Sequence, residues 1–462
     1  MRHARTLSLW GATTLLSAAC ADLIGLSSFP EPPATGLPDA TAPAATADAG
    51  VSTSDAKVSG ADGRAAEPAG SLDTSFGTGG RAVAPTDMTV TGLVMQPSGA
   101  FVVTGATAET VPRDFAALRF TRDGQFDGTF AGTGRAVVDF GGDEASADSV
   151  GLPDGKVILG GVAGTTATAV ALARLTTDGA LDTTFGSAGK SSLAPTASQL
   201  LNGLALGQGG AIVGTGSVTS GATNAFAFFR FTASGALDTT FAGKGYSEIE
   251  MGGNDIGFAV AMASSGQLVA TGVSEATGGG PWVVARVSVG GAPDGTFAPT
   301  GWKVSASAVA GASSKGQAVA FQADGKVVAA GVVPTASAGV YDVVVMRYQT
   351  DGAPDATFGQ NGVSILAGAG VPRRLAIDAA GRVVFAGATT GGTAAAVIVG
   401  RLLENGTPDP SFGKGGLTVI DVHPAAADYT GGLAIQSDGF IVVGGYSQLP
   451  GKLEPWVMRF WP

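Results

Sequence analysis

The sequence predicts an all-β fold: a seven-bladed β-propeller of four-stranded antiparallel blades, preceded by a signal peptide and a disordered tether. Three observations predict it. A Leu-Asp-x-x-Phe marker, or a near variant, recurs at Asp73/Phe76, Asp127/Phe130, Asp182/Phe185, Asp238/Phe241, Asp294/Phe297, Asp355/Phe358 and Asp409/Phe412, at spacings of 54, 55, 56, 56, 61 and 54 residues. An arginine stands eight residues before each marker from the second onward (Arg119, Arg174, Arg230, Arg286, Arg347, Arg401), and a seventh, Arg459, ends the series. Between them, short β-branched runs are broken by Asp-Gly and similar turns, a strong hairpin signal because both central residues of such turns favour positive φ.

The elements follow in order. Residues 1–20, MRHARTLSLWGATTLLSAAC, have the layout of a secretory signal: Arg2 and Arg5, a mostly apolar stretch, then small residues before Cys20. The apolar stretch is shorter than the roughly 18 residues that cross a bilayer. Its end is similar to a bacterial lipobox, with Ser17 where that pattern usually has leucine. Cys20 is expected to be lipidated, the alternative being an ordinary cut after Ala19 or Ala21. Residues 21–70, rich in Ala, Pro, Thr, Ser, Gly and Asp, bury too little apolar surface to offset ordering entropy and read as a tether. Residues 71–462 are the propeller domain.

Each repeat reads as four strands. The second repeat offers 135–140 (RAVVDF), a run ending at Pro153-Asp154-Gly155, then 156–160 (KVILG), and an arginine-bearing run like 342–348 (DVVVMRY) of a later repeat. No blade can bury its faces alone, so the ring must close. If Arg119 pairs with Asp127, closure brings Arg459 to Asp73.

Composition narrows function. The net charge of −11, with no basic stripe, excludes nucleic acid as a partner. A single cysteine rules out an internal disulfide or a cysteine-based metal site, and the only histidines are His3 and His423. No cofactor and no metal are expected, although all-oxygen calcium sites stay open. The sequence holds no G-x-S-x-G elbow, H-E-x-x-H or P-loop. Arg119, Asp127 and Phe130, Arg174, Asp182 and Phe185, and Arg459 with Asp73 read as scaffold, since packing is needed in every blade and a catalytic site once.

Recognition is expected on the face where loops vary between repeats. Compare 141–148 (GGDEASAD), 274–282 (SEATGGGPW), 369–374 (AGVPRR) and 422–429 (VHPAAADY). Candidate binding residues there are Asp143, Glu144, Asp255, Trp282, Arg373, Arg374, His423 and Tyr429. Acids such as Asp143, Glu144 and Asp148 offer carboxylate acid–base chemistry, the indoles stacking on sugars, and Arg373-Arg374 an anion site. Stretches such as 141–143 (GGD) and 252–255 (GGND) lack the short tandem period of calcium-binding nonapeptides and read as surface loops.

The elements LDTSFGTGG, LDTTFGSAG, PDATFGQNG and PDPSFGKGG, each downstream of an arginine-bearing segment, resemble the delta-60 repeat family of exported bacterial proteins. The resemblance covers roughly 71–462 and implies a propeller-like fold but no known reaction, cofactor or ligand. The repeat at Asp294 departs from it, because Ala298-Pro299 follows Phe297, so its turn is expected to differ. The expected function is a monomeric cell-surface lipoprotein (alternatively periplasmic or secreted) that binds a glycan, peptide or protein without catalysis. It meets the membrane only through its lipid anchor. The rival is a polysaccharide hydrolase or lyase using loop carboxylates.

Overall fold

The structure, a computed structural model, describes residues 67–462 apart from 109–111, 165–167, 194–197, 276–279, 306–313, 393 and 425. The signal peptide, Cys20 and the tether up to residue 66 lie outside the described residues. Residues Ala69–Pro462 form one compact unit made of seven four-stranded sheets. We number the blades 1 to 7 along the chain: 92–138, 144–192, 199–249, 255–305, 315–366, 371–420 and 427–460, the last completed by Arg81–Val83.

Each blade runs from the axis outward. Blade 2, for example, is Glu144–Gly151, Val157–Ala163, Ala169–Leu175 and Lys190–Ser192, each antiparallel to the next. Its two middle strands, VILGGVA and AVALARL, are buried almost throughout. A blade is covered on both faces by its neighbours, so its middle strands cannot alternate apolar and polar residues as a half-exposed sheet would. The core accordingly lies between blades. Phe130 packs with Val102 and Phe115 of blade 1 and with Leu159 and Leu175 of blade 2.

The run after each marker is not the first strand of its own sheet. Arg135–Val138 pairs with the preceding arginine-bearing strand, Phe115–Phe120, and is therefore the outermost strand of blade 1. The marker is a tight reversal, closed by the Gly134 amide on the Phe130 carbonyl at 2.7 Å, and it returns the chain along the sheet it has just left. Repeat and blade are thus offset by one strand. The run after the first marker, Arg81–Val83, has no preceding blade and pairs with Lys452–Phe460 at Arg81↔Met458, Ala82↔Val457 and Val83↔Trp456.

The innermost strands carry the register irregularity of a β-bulge at one equivalent place in blades 2 to 7. Beside it the second strand has glycine, because a Cβ on Gly161 would stand 2.0 Å from the Ala145 carbonyl oxygen. Bulges bend the strand and re-aim its side chains, here where the chain lines the axis.

Candidate functional site

The repeated residues form one unit built seven times. Arg119 Nε donates to Asp127 Oδ2 at 2.8 Å, and the Thr129 amide and hydroxyl donate to Asp127 Oδ1 at 2.9 and 2.6 Å. The guanidinium lies 5.0 Å from the centre of the Phe130 ring, and its Nη1 donates to the Thr177 carbonyl of blade 2 at 2.6 Å. Closure repeats the unit across the termini of the ring, with Arg459 Nε 2.8 Å from Asp73 Oδ2 and the guanidinium 4.8 Å from Phe76. Each marker phenylalanine is fully buried. Its ring lies against the next blade's turn glycine, as Phe185 does against Gly235.

All seven aspartates are held below the usual carboxylate range. At Asp127, Asp182 and Asp238 the threonine hydroxyl two residues on is the largest influence. At Asp73, Asp294, Asp355 and Asp409 burial pushes upward, and hydroxyl, amide and arginine together outweigh it. Each aspartate is paired by an arginine and a hydroxyl of its own turn, and in most blades the arginine also reaches a carbonyl of the next blade, as a scaffold joint would. That hydroxyl was visible in the sequence as the Ser or Thr before each Phe and was not part of the marker. A second donor was also missed. The residue after the turn glycine reaches the same aspartate in several blades: Lys156 to Asp182 at 2.9 Å, Gln267 to Asp294 at 3.2 Å and Lys326 to Asp355 at 3.2 Å.

Along the axis runs a cavity of about 170 Å³, lined by Leu93, Ser149, Leu204, Val260, Val319, Leu375 and Leu433, one from each innermost strand. Arg373 and Arg374 line it too. They belong to the innermost strand Val371–Ile377 and not, as expected, to a variable loop, since the strand begins just after Gly370. Arg374 crosses the axis. Its Nε donates to the Gly431 carbonyl at 2.8 Å, and its Nη2 to the Thr91 carbonyl and to Asp148 Oδ1, the last at 3.2 Å. Asp148 Oδ2 accepts the Leu204 amide at 3.0 Å, so one tie joins blades 6, 7, 1, 2 and 3. Burial pushes the Asp148 carboxyl up against the pull of Arg374, and burial brings the Arg373 guanidinium down to about 10, still charged at neutral pH. Arg373 Nη1 donates to Gln317 Oε1 at 3.3 Å. A cavity this size is smaller than the roughly 300–1,000 Å³ of ordinary ligand pockets.

Of the other candidates, Glu144, Asp255 and Tyr429 lie at the start of innermost strands, Asp143 and His423 just before them, and Trp282 at the start of the third strand of blade 4. Glu144, Asp255 and Asp428 take the same position in three blades, and all are fully buried rather than exposed loop acids. Each turns back on the loop that precedes it. Gly142 N donates to Glu144 Oε1 at 3.1 Å, Met251 N to Asp255 Oδ2 at 2.7 Å and Val422 N to Asp428 Oδ2 at 2.8 Å. Burial raises all three, Glu144 to about 7, helped there by the neighbouring charges of Asp114 and Asp139. Asp143 is held by Arg113 through Nη2 at 2.9 Å and Nε at 3.1 Å. Trp282 is fully buried, its indole N–H on Thr271 Oγ1 at 2.6 Å, and is out of a sugar's reach. His423 Nε2 lies 2.7 Å from Glu454 Oε1. Tyr429 is half-buried, stacked on Tyr446 with ring centres 4.9 Å apart, and its hydroxyl donates to Gln448 Oε1 at 3.2 Å.

The turn face differs at one joint. In the other described blades the residue after the marker Phe donates its amide to the next turn, as Ala242 does to the Gly290 carbonyl at 2.8 Å. In blade 4, Ala298 instead donates to Asp294 within its own turn at 3.4 Å. The six counterparts of Ala298 hold a left-handed backbone, with φ from +50° to +55°, which Ala298, followed by Pro299, does not adopt. A groove of about 610 Å³ opens at this joint, bordered by Gln267, Thr296, Gln322 and Asp351. Another, of about 670 Å³, lies between blades 2 and 3 beside Lys190 and Ser234.

Four segments, 152–185, 210–241, 322–358 and 381–412, match the family described as "Domain of unknown function (DUF5122) beta-propeller". Each begins near an inner turn and ends on a marker phenylalanine, so the chain carries repeats of a β-propeller family. No curated protein matches it. Similar solved structures include a protein of unknown function from Dyadobacter fermentans at 11% identity, over 82% of this chain and 98% of that one, TM-score 0.40. Polysaccharide lyase Uly1 matches at 10% identity over 84% and 92%, TM-score 0.45. Sqt1 of Chaetomium thermophilum matches at 12% over 82% and 97%, TM-score 0.44. Likeness at these identities concerns the fold alone.

Proposed function

We propose that this chain is a non-catalytic binding module of the cell surface, exported by its first 20 residues, anchored through a lipid on Cys20, and carrying its ligand on the loop face. The observation that supports it is the contrast between the two ends of the blades. The turn face repeats one Arg–Asp–Phe unit in every blade, whereas the residues at the loop-face end of the innermost strands vary from blade to blade apart from the buried acids Glu144, Asp255 and Asp428, with Tyr429, Gln448 and the His423–Glu454 pair in blade 7. An aromatic ring beside amide, imidazole and carboxylate groups suits a hydroxyl-rich chain such as an oligosaccharide. Catalysis is less well supported by the same residues. Glycoside cleavage uses two carboxyls about 5–9.5 Å apart and free to exchange protons with substrate. Here Asp143 is clamped by Arg113, Asp148 by Arg374, and Asp255 by a loop amide.

The test is a thermal-shift and calorimetric screen of the full chain against neutral and uronic-acid oligosaccharides. A ligand at about a hundred times its Kd stabilises the fold by roughly 2.7 kcal/mol. Tyr429→Ala should abolish the shift; because the ring stacks on Tyr446 it should also lower the unliganded melting temperature, so the shift is read against the variant's own unliganded value. Turnover of any oligosaccharide, lost on Asp143→Asn, would replace the proposal with the hydrolase or lyase reading. Mass spectrometry of the mature N-terminus checks the anchor, a diacylated Cys20 being the expected species.

A further inference from the structure

We infer that the joint between blades 1 and 2 is a calcium site whose protein ligands are Asp114, Asp139 and Glu144. Three separate pieces of chain bring them together. Asp114 leads into the third strand of blade 1, fixed by its amide on Thr107 Oγ1 and its carbonyl on the Thr107 amide, each at 2.9 Å. Asp139 directly follows the outermost strand, Arg135–Val138. Glu144 opens the innermost strand of blade 2, its amide on the Arg113 carbonyl at 2.8 Å. One carboxylate oxygen from each lies within 4.8 Å of the others. Two oxygens on one calcium ion are separated by at most about twice the 2.3–2.6 Å bond length, so the pairwise separations meet that limit, and a small side-chain adjustment brings all three onto one ion.

The second observation is Glu144 itself. The side chain is fully buried; Oε1 accepts the Gly142 amide and the Phe140 amide also acts on the carboxylate, while Oε2 has no partner within hydrogen-bond geometry. A buried carboxylate oxygen without a donor is costly unless something charged or hydrogen-bonding meets it. Arg113 grips Asp143, and the Lys190 ammonium bonds the backbone carbonyl of Asp139 and lies 5.4 Å from the Phe140 ring. Three carboxylates around an oxygen-only site favour a hard divalent cation, and an irregular loop suits calcium better than the strict octahedron of magnesium. The site is a joint rather than a loop ornament, because its ligands belong to two blades.

Within the ring a second joint has the same buried acid, its Asp255 Oδ1 likewise without a hydrogen-bond partner, and differs in its third acid. Blades 3 and 4 meet through the similar loop Glu250-Met251-Gly252-Gly253-Asn254-Asp255, but the residue five before the blade arginine, Asp114 before Arg119, is Ala225 before Arg230. That joint has two of the three acids. One ion per chain is therefore expected.

The experiment is calcium titration of the chelator-treated full chain by calorimetry, with melting temperature followed in calcium and in magnesium. One calcium should bind per chain and raise the melting temperature, with a smaller response to magnesium. Asp139→Asn and Asp114→Asn should each weaken binding roughly tenfold or more. Asp139 is exposed, so its variant should keep the calcium-free melting temperature, which separates loss of a ligand from loss of the fold. No heat and no thermal shift up to about 10 mM calcium, beyond the weak end of extracellular calcium modules, would overturn the assignment. So would binding that both variants leave unchanged, or an equal response to magnesium.

Discussion

At Asp355 the carboxylate is fully buried, yet Arg347, Lys326 and Thr357 all donate to it. Its six counterparts are each held by an arginine and a serine or threonine hydroxyl, and each lies below the usual carboxylate range. For an acid whose folded value is depressed, the stabilisation is complete above its unfolded value of about 3.9 and is lost as pH falls through the folded one. Seven such groups should make the melting temperature drop steeply below about pH 4. Buried Asp148, Asp255 and Asp428 are raised and run the other way, favouring the fold as pH falls toward the ordinary carboxylate range. A melting-temperature profile from pH 8 to 2 should thus show a mildly acidic optimum followed by collapse. A flat profile down to pH 2 would contradict the shared ionic unit. The Arg–Asp–Phe pattern was legible in the sequence because it recurs. Arg373 and Arg374 were misplaced in a loop because the start of a strand is not marked by any residue type.

At the scale of elements, the marker turn decides how blades meet. Gly235 has φ +87°, and a Cβ there would come 2.6 Å from the Phe185 ring. Gly221 also has a positive φ, +62°, but a Cβ there would meet nothing within 4 Å. Gly221→Ala carries backbone strain alone, about 1–2 kcal/mol. Gly235→Ala adds overpacking of about 1–3 kcal/mol to that strain. Urea denaturation should rank Gly235→Ala as the more damaging, and equal losses would show that Phe185 yields freely. The sequence also singled out the Asp294 turn correctly, since Pro299 acts on its neighbour by local sterics. It could not show the groove beside that turn, which depends on how blades 4 and 5 approach. The one-strand offset between repeat and blade was likewise invisible, because a period is the same wherever its origin is placed.

For the whole molecule, the contact between Arg459 and Asp73 joins residues 386 apart, whereas Arg286 and Asp294 are 8 apart. Breaking either buried pair by removing the arginine should cost about 3–5 kcal/mol. Only Arg459→Ala also loosens the ring, so hydrogen exchange should accelerate at Arg81–Val83 and Lys452–Phe460 while staying slow there in Arg286→Ala. Identical exchange in the two variants would mean that closure does not depend on this pair. The number of blades, the strands within each period and the pairing that closes the ring could all be read from the chain, because they follow from local turn chemistry repeated at a constant interval. Folding in three dimensions was needed to place Arg374 across the axis, to bury Glu144 and Asp255, and to bring Asp114, Asp139 and Glu144 together. Those contacts link residues from different blades, and their distances are set by the curvature of the closed ring rather than by spacing along the chain.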